Sequence, residues 1–109
     1  MLQGMSKSES LIQQEIVKWF RANYYGNGLI FSVPNERSGY AQMQKLLMTG
    51  LLSGVSDLII VLKGKVLFIE VKNDKGVQSE RQKKFESQVK ELDFEYHLVR
   101  SLEELKKIL

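Results

Sequence analysis

The sequence predicts an α/β domain: a mixed central β-sheet built on a hairpin, with helices flanking it. Three observations carry that prediction. Two runs rich in Ile, Val, Leu and Phe, DLIIVL (57–62) and KVLFIEV (65–71), stand on either side of Gly64, as strands stand about a hairpin turn. Segments with apolar residues at helical spacing precede and follow them. The elements then read αβα, ββ, αβα, and a mixed sheet between helices is the simplest arrangement that buries such strands.

Each element has a local reason. Residues 1–8, within the polar opening MLQGMSKSES, are expected to be unstructured, with Met5 a candidate natural start. SLIQQEIVKWFRAN (10–23) predicts a helix capped by Ser8 or Ser10. Its Leu11, Ile12, Ile16, Trp19 and Phe20 fall on one stripe, and Trp19 and Phe20 are assigned to the core. LIFSV (29–33) predicts a short strand ended by Pro34, and NERSGY (35–40) a loop. YAQMQKLLMTG (40–50) predicts a second helix stopped by Gly50. The unbroken apolar runs of the hairpin predict strands covered on both faces. QSERQKKFESQVKEL (78–92) predicts a helix with its stripe at Phe85, Val89 and Leu92. FEYHLV (94–99) reads as a strand. SLEELKKIL (101–109) reads as a closing helix with Ser101 and Glu104 at capping-box spacing.

Composition excludes several chemistries. A chain of 109 residues is long enough for one domain with one core. No apolar run is long enough to span a membrane and no signal-peptide pattern opens the chain, so a cytoplasmic protein is expected. With no cysteine there is no disulfide, thiolate zinc site or cysteine nucleophile. The single histidine, His97, argues against imidazole sites, so any metal is expected to be a hard ion held by oxygens. A net charge of +3 and a pI near 9.2 permit nucleic-acid binding without demanding it. The basic stretch from Lys75 to Lys90 fits a solvated helix face as readily as a polyanion-facing one.

The carboxylates say more. Residues equidistant from the turn at Gly64 face each other across an antiparallel hairpin, which sets Asp57 beside Glu70 at one end of the sheet. Like charges so placed repel, and a divalent cation between them removes the conflict. Strand alternation puts Lys72 on the same face as Glu70, with Val71 on the other. A lysine there can hold a water, help deprotonate it, or neutralise charge developing on a phosphate. Together these parts suit hydrolysis of a phosphodiester. Glu15 lies inside the apolar stripe of the first helix. It either aims at the same metal or reaches solvent or a lysine at the stripe's edge.

Residues 54–85, GVSDLIIVLKGKVLFIEVKNDKGVQSERQKKF, resemble the virus-type replication-repair nuclease (VRR-NUC) domain of the PD-(D/E)xK nuclease superfamily. Asp57 matches the family's aspartate, Glu70 and Lys72 its Glu-x-Lys, and Ser79 and Gln82 its helical Ser-x-x-Gln. VPNERS (33–38) resembles an upstream PN loop. The family's proline before the aspartate is Ser56 here. The resemblance implies a restriction-endonuclease-like fold and a metal-dependent, structure-selective DNA endonuclease, similar to small phage nucleases that cut four-way (Holliday) junctions. It implies Mg²⁺ or Mn²⁺ held by Asp57, Glu70 and the Val71 carbonyl, with Glu15 assisting. Lys72 would then act on the attacking water, and Gln82 would support Lys72 or the water, or serve only a capping box with Ser79. Arg37, Tyr40, Lys45, Lys75, Arg81 and Lys83 are candidate DNA contacts, each with solvated charge or packing as its plain alternative. A two-fold substrate suggests a homodimer. The alternatives are a flap, nick or single-strand nuclease using the same site, a non-catalytic nucleic-acid-binding module, and a protein-interaction domain.

Overall fold

A computed structural model describes residues 7–34 and 40–109, apart from the side chain of Tyr40. The elements follow in the predicted order: α1 (Glu9–Asn23), β1 (Gly28–Ser32), α2 (Tyr40–Met48), β2 (Leu58–Leu62), β3 (Lys65–Val71), α3 (Glu80–Glu91), β4 (Glu95–Val99) and α4 (Leu102–Ile108). The expectations for residues 1–6 and for the loop at 35–39 lie outside the described residues.

The sheet runs β1-β2-β3-β4. The first three strands are antiparallel and β4 joins β3 in parallel. Gly64 makes the tight β2–β3 turn at φ +69°, a backbone that side-chain-bearing residues rarely adopt. Because β3 must return parallel to itself in β4, the chain needs a crossover, and α3 provides it.

One face of the sheet holds the main core. Ile30, Leu58, Ile60, Leu67, Ile69, Val71 and Val99 pack there against Ile12, Ile16 and Phe20 of α1 and Leu105 of α4. Ser8 caps α1 by accepting from the Leu11 N–H at 3.1 Å, which settles the choice between Ser8 and Ser10. Trp19 lies at the core's edge, with the Lys106 ammonium over its ring.

The other face is only partly covered: on the hairpin, where cover on both faces is expected, Ile59, Val61, Val66 and Phe68 are half-buried. Phe85 and Val89 of α3 pack with Phe68 and Tyr96, over β3 and β4. The β1 residues pointing the same way, Leu29 and Phe31, stay exposed at 64% and 44%. A single crossover helix is too narrow to roof four strands. Leu92, expected on the apolar stripe, is exposed because α3 ends before it. α2 is mostly exposed: of its described side chains only Met43 and Leu46 are half-buried.

Candidate active site

The hairpin brings Asp57 and Glu70 together at the end where β2 begins and β3 finishes. Leu58 pairs with Ile69, so the next position outward sets Asp57 opposite Glu70. The Asp57 backbone carbonyl accepts from the Val33 N–H at 3.0 Å, and its side-chain Oδ2 accepts from the Val71 N–H at 2.8 Å. Asp57 is thus tied to the chain on both sides of β2. Ser56, where proline stands in the family pattern, is fully buried and donates its Oγ proton to the Leu58 carbonyl.

Glu70 is 1% exposed. Its Oε2 accepts from Gln82 Nε2 at 3.0 Å and lies 3.8 Å from Lys72 Nζ. Its Oε1 is buried, and no N–H or O–H group among the described residues donates to it. Burial first, then the charge and hydrogen bond of Asp57, push the Glu70 carboxyl up to about 8, against the pull of Lys72. A buried acceptor without a donor, next to a second carboxylate, is a position that a hard cation satisfies. Magnesium needs only one or two carboxylates because it keeps several waters. That fits these residues: among the described ones, no three acidic or imidazole groups stand close enough to hold an ion by themselves.

Gln82 does two jobs. Its Oε1 accepts from the Ser79 N–H at 2.8 Å, completing a capping box, while its Nε2 donates to Glu70. It therefore braces the carboxylate directly, rather than Lys72.

Glu15 does not join this cluster. Its carboxylate is 2.9 Å from Lys7 Nζ, and it lines a separate groove with Trp19 and Arg100. The α1 carboxylate on the site's side is Glu9, which sequence reasoning missed. A Cβ built on Gly76 would stand 2.8 Å from Glu9 Oε2 and 3.1 Å from Lys72 Cδ, so Gly76 fits between those two side chains. Glu9 also lines one groove with Asp57 and adds to the repulsion that Glu70 feels. The helical wheel held the signal. At about 100° per residue, Glu9 falls roughly 20° from the centre of the Ile12–Ile16–Phe20 stripe and Glu15 roughly 100°. Arg100 is a second missed residue. Its Nη1 donates to the carbonyls of Asn73 and Gly76, at 2.6 and 2.8 Å, and pins the loop that separates Glu9 from Lys72.

The expected DNA contacts are scattered. Arg37 and the side chain of Tyr40 lie outside the described residues. Lys45 is exposed on α2, and Lys75 is exposed just after β3. Arg81 donates to Ser53 Oγ at 2.9 Å, and Lys83 lies 3.5 Å from Glu80. His97 is on β4 beside Glu95, at 3.0 Å.

No protein-family model matches the sequence, and no curated protein matches it. Solved structures do match the fold. One, titled "VRR_NUC domain protein", superposes with a TM-score of 0.75 at 16% identity, over 98% of this chain and 87% of its own. Another, titled "VRR_NUC domain", gives a TM-score of 0.67 at 20% identity, over 94% of this chain and 95% of its own. The fold of this chain is therefore that of VRR-NUC domains, as the resemblance of residues 54–85 implies.

Proposed function

We propose that this chain is a metal-dependent, structure-selective DNA endonuclease that cuts four-way junctions as a homodimer. The observation that carries the proposal is the buried, unsatisfied Glu70 Oε1 beside Asp57, with Lys72 on the same side. A fold shared with nuclease-titled domains supports it.

Asp57, Glu70 and the Val71 carbonyl would hold Mg²⁺ or Mn²⁺, with Glu9 adding negative charge nearby and Glu15 turned away to Lys7. Such an ion polarises a phosphoryl oxygen and acidifies a bound water. The chain's own groups do the rest. Gln82 fixes Glu70 Oε2, leaving Oε1 for the ion. The backbone N–H of Val71 fixes Asp57. Lys72, 9% exposed and close to Glu70, orients the attacking water and neutralises charge on the phosphate as it develops.

Symmetry motivates the dimer: a junction offers two equivalent strands, and a two-fold pair offers two equivalent sites. The exposed Leu47 and Met48 of α2 and the exposed Leu29 and Phe31 supply surface for a second copy. Analytical ultracentrifugation is expected to give a dimer with junction DNA, and a monomer with and without it would sink this part.

The chemistry is tested with labelled four-way junction, flap and duplex DNA in Mg²⁺ or Mn²⁺. Junction cuts are expected. Asp57→Asn is expected to lower the rate by about a thousandfold or more, the scale of losing a main electrostatic group. The asparagine keeps an acceptor for the Val71 N–H, so the loss reads charge rather than fold, and Asp57→Ala serves as the blunter control. Flap cutting without junction cutting would keep the nuclease and discard the resolvase.

A further inference from the structure

A groove of about 560 Å³ leaves the carboxylate site along one flank of α1. Asp57 and Glu9 stand at its mouth, and Gln13, Gln14, Val17, Lys18 and Arg21 continue it. Spacings of four place Glu9, Gln13 and Val17 in one half-buried row as the inner wall, with Gln14, Lys18 and Arg21 exposed along the rim. From Glu9 to Arg21 the helix rises about 18 Å. The charge therefore changes along the groove, from two carboxylates, through neutral amides, to two cations.

We infer that this flank of α1 is the track of one nucleic-acid strand running from the cut, with Lys18 and Arg21 holding a phosphate several nucleotides away. The inference rests on the nuclease reading and adds a strand path that none of the expected DNA contacts contained. A linear polyanion fits this order of charges. At the mouth its phosphate needs the cation that the carboxylates hold. Farther along, where no such ion is held, Lys18 and Arg21 must supply the positive charge. An acidic peptide would meet the same carboxylates without a group that shares their cation so well. About 18 Å corresponds to roughly five nucleotide steps at duplex rise. Lys18 makes no ion pair among the described residues. Arg21 uses one N–H on the Ile30 carbonyl, at 3.3 Å, and keeps its remaining donors for the groove. The glutamine amides can meet sugar and base edges without demanding a sequence.

The test measures binding of fluorescein-labelled junction and duplex DNA in Ca²⁺ by anisotropy over a salt series. For Lys18→Gln with Arg21→Gln, affinity is expected to fall about tenfold or more, and the slope of log affinity on log salt to flatten by about two. Lys18→Gln alone, which breaks no bond among the described residues, is expected to give about half that flattening. Position is read separately. The chain has no cysteine, so an iron chelate on Gln14→Cys is a unique label, and it is expected to nick one strand a few nucleotides from the enzyme's own cut. Parent-like affinity and slope in both variants, or nicks at no defined position, would overturn the groove while leaving the nuclease. A parent that binds no DNA in any divalent cation would overturn the nuclease reading and the groove with it.

Discussion

Glu70→Gln is expected to abolish cleavage and, in EDTA at pH 8 and above, to make the protein more stable than its parent. Both effects come from one fact: Glu70 is a buried carboxyl pushed up to about 8 by burial and by Asp57. In the unfolded chain its pKa is about 4.5. Between those values the folded protein keeps a proton that the unfolded chain has released. Stability therefore falls as pH rises through that window, and the full penalty is present above about 8. An amide carries no charge to desolvate. Its oxygen can accept from Gln82 Nε2, and its own N–H groups can donate towards Asp57, where the carboxylate was repelled. The gain is on the order of a few kcal/mol at high pH, already net of the attraction to Lys72, and it vanishes at low pH, where both side chains are neutral. A melting temperature higher by several degrees is expected for the variant at pH 8, and none at pH 4. Mg²⁺ is expected to reverse the order, because it stabilises only the chain that offers it a carboxylate. A variant less stable than its parent in EDTA at pH 8 would refute the account of Glu70 as a strained charge. Retained cleavage would refute its place at the metal.

That penalty explains why so much structure surrounds one side chain. Gln82 braces Glu70 from α3, the Val71 N–H fixes Asp57 from β3, and Arg100 pins the loop beyond Lys72. Much of this was legible beforehand. Hairpin pairing depends only on counting outward from a turn, so the meeting of Asp57 and Glu70 could be read from Gly64. Alternation placed Lys72, and the spacing of Ser79 and Gln82 gave the capping box. The reading of α1 failed for a nameable reason. Glu9 belongs to the polar lead-in by composition, whereas it opens the helix directly after the Ser8 cap, one turn before Ile12. Glu15, nearer the middle of the helix, lies between Leu11 and Trp19 on the wheel and so shares the wider stripe without facing the core. The half-covered sheet was illegible because apolar strands look alike whether a helix or only solvent faces them. Arg100 acts through two backbone carbonyls, and carbonyls leave no mark in a sequence.

Gly54→Ala is expected to be the most damaging substitution outside the carboxylates. Gly54 sits at φ +85° in the loop that delivers Asp57. A Cβ there would stand 2.4 Å from the Arg81 carbonyl oxygen, 2.5 Å from its carbon and 2.9 Å from the Gln82 nitrogen. These are backbone atoms of the first turn of α3, so no side chain can swing aside. Either the loop or α3 must move, and each carries part of the site: Asp57 on one, Gln82 on the other. The strained φ alone costs roughly 1–2 kcal/mol, and forcing a methyl into packed backbone adds about 1–3 kcal/mol. Against a total stability of roughly 5–15 kcal/mol for a domain, that is a large share. Gly64→Ala separates the two costs. It has a similar φ, +69°, but open space around its Cβ, so it bears the backbone strain alone. Urea unfolding is expected to rank parent above Gly64→Ala above Gly54→Ala, and DNA cleavage to fall only in the last. Equal midpoints for the two variants would mean that Gly54 is needed only for its backbone angle. Normal cleavage by Gly54→Ala would mean that the loop and α3 can part without disturbing Glu70.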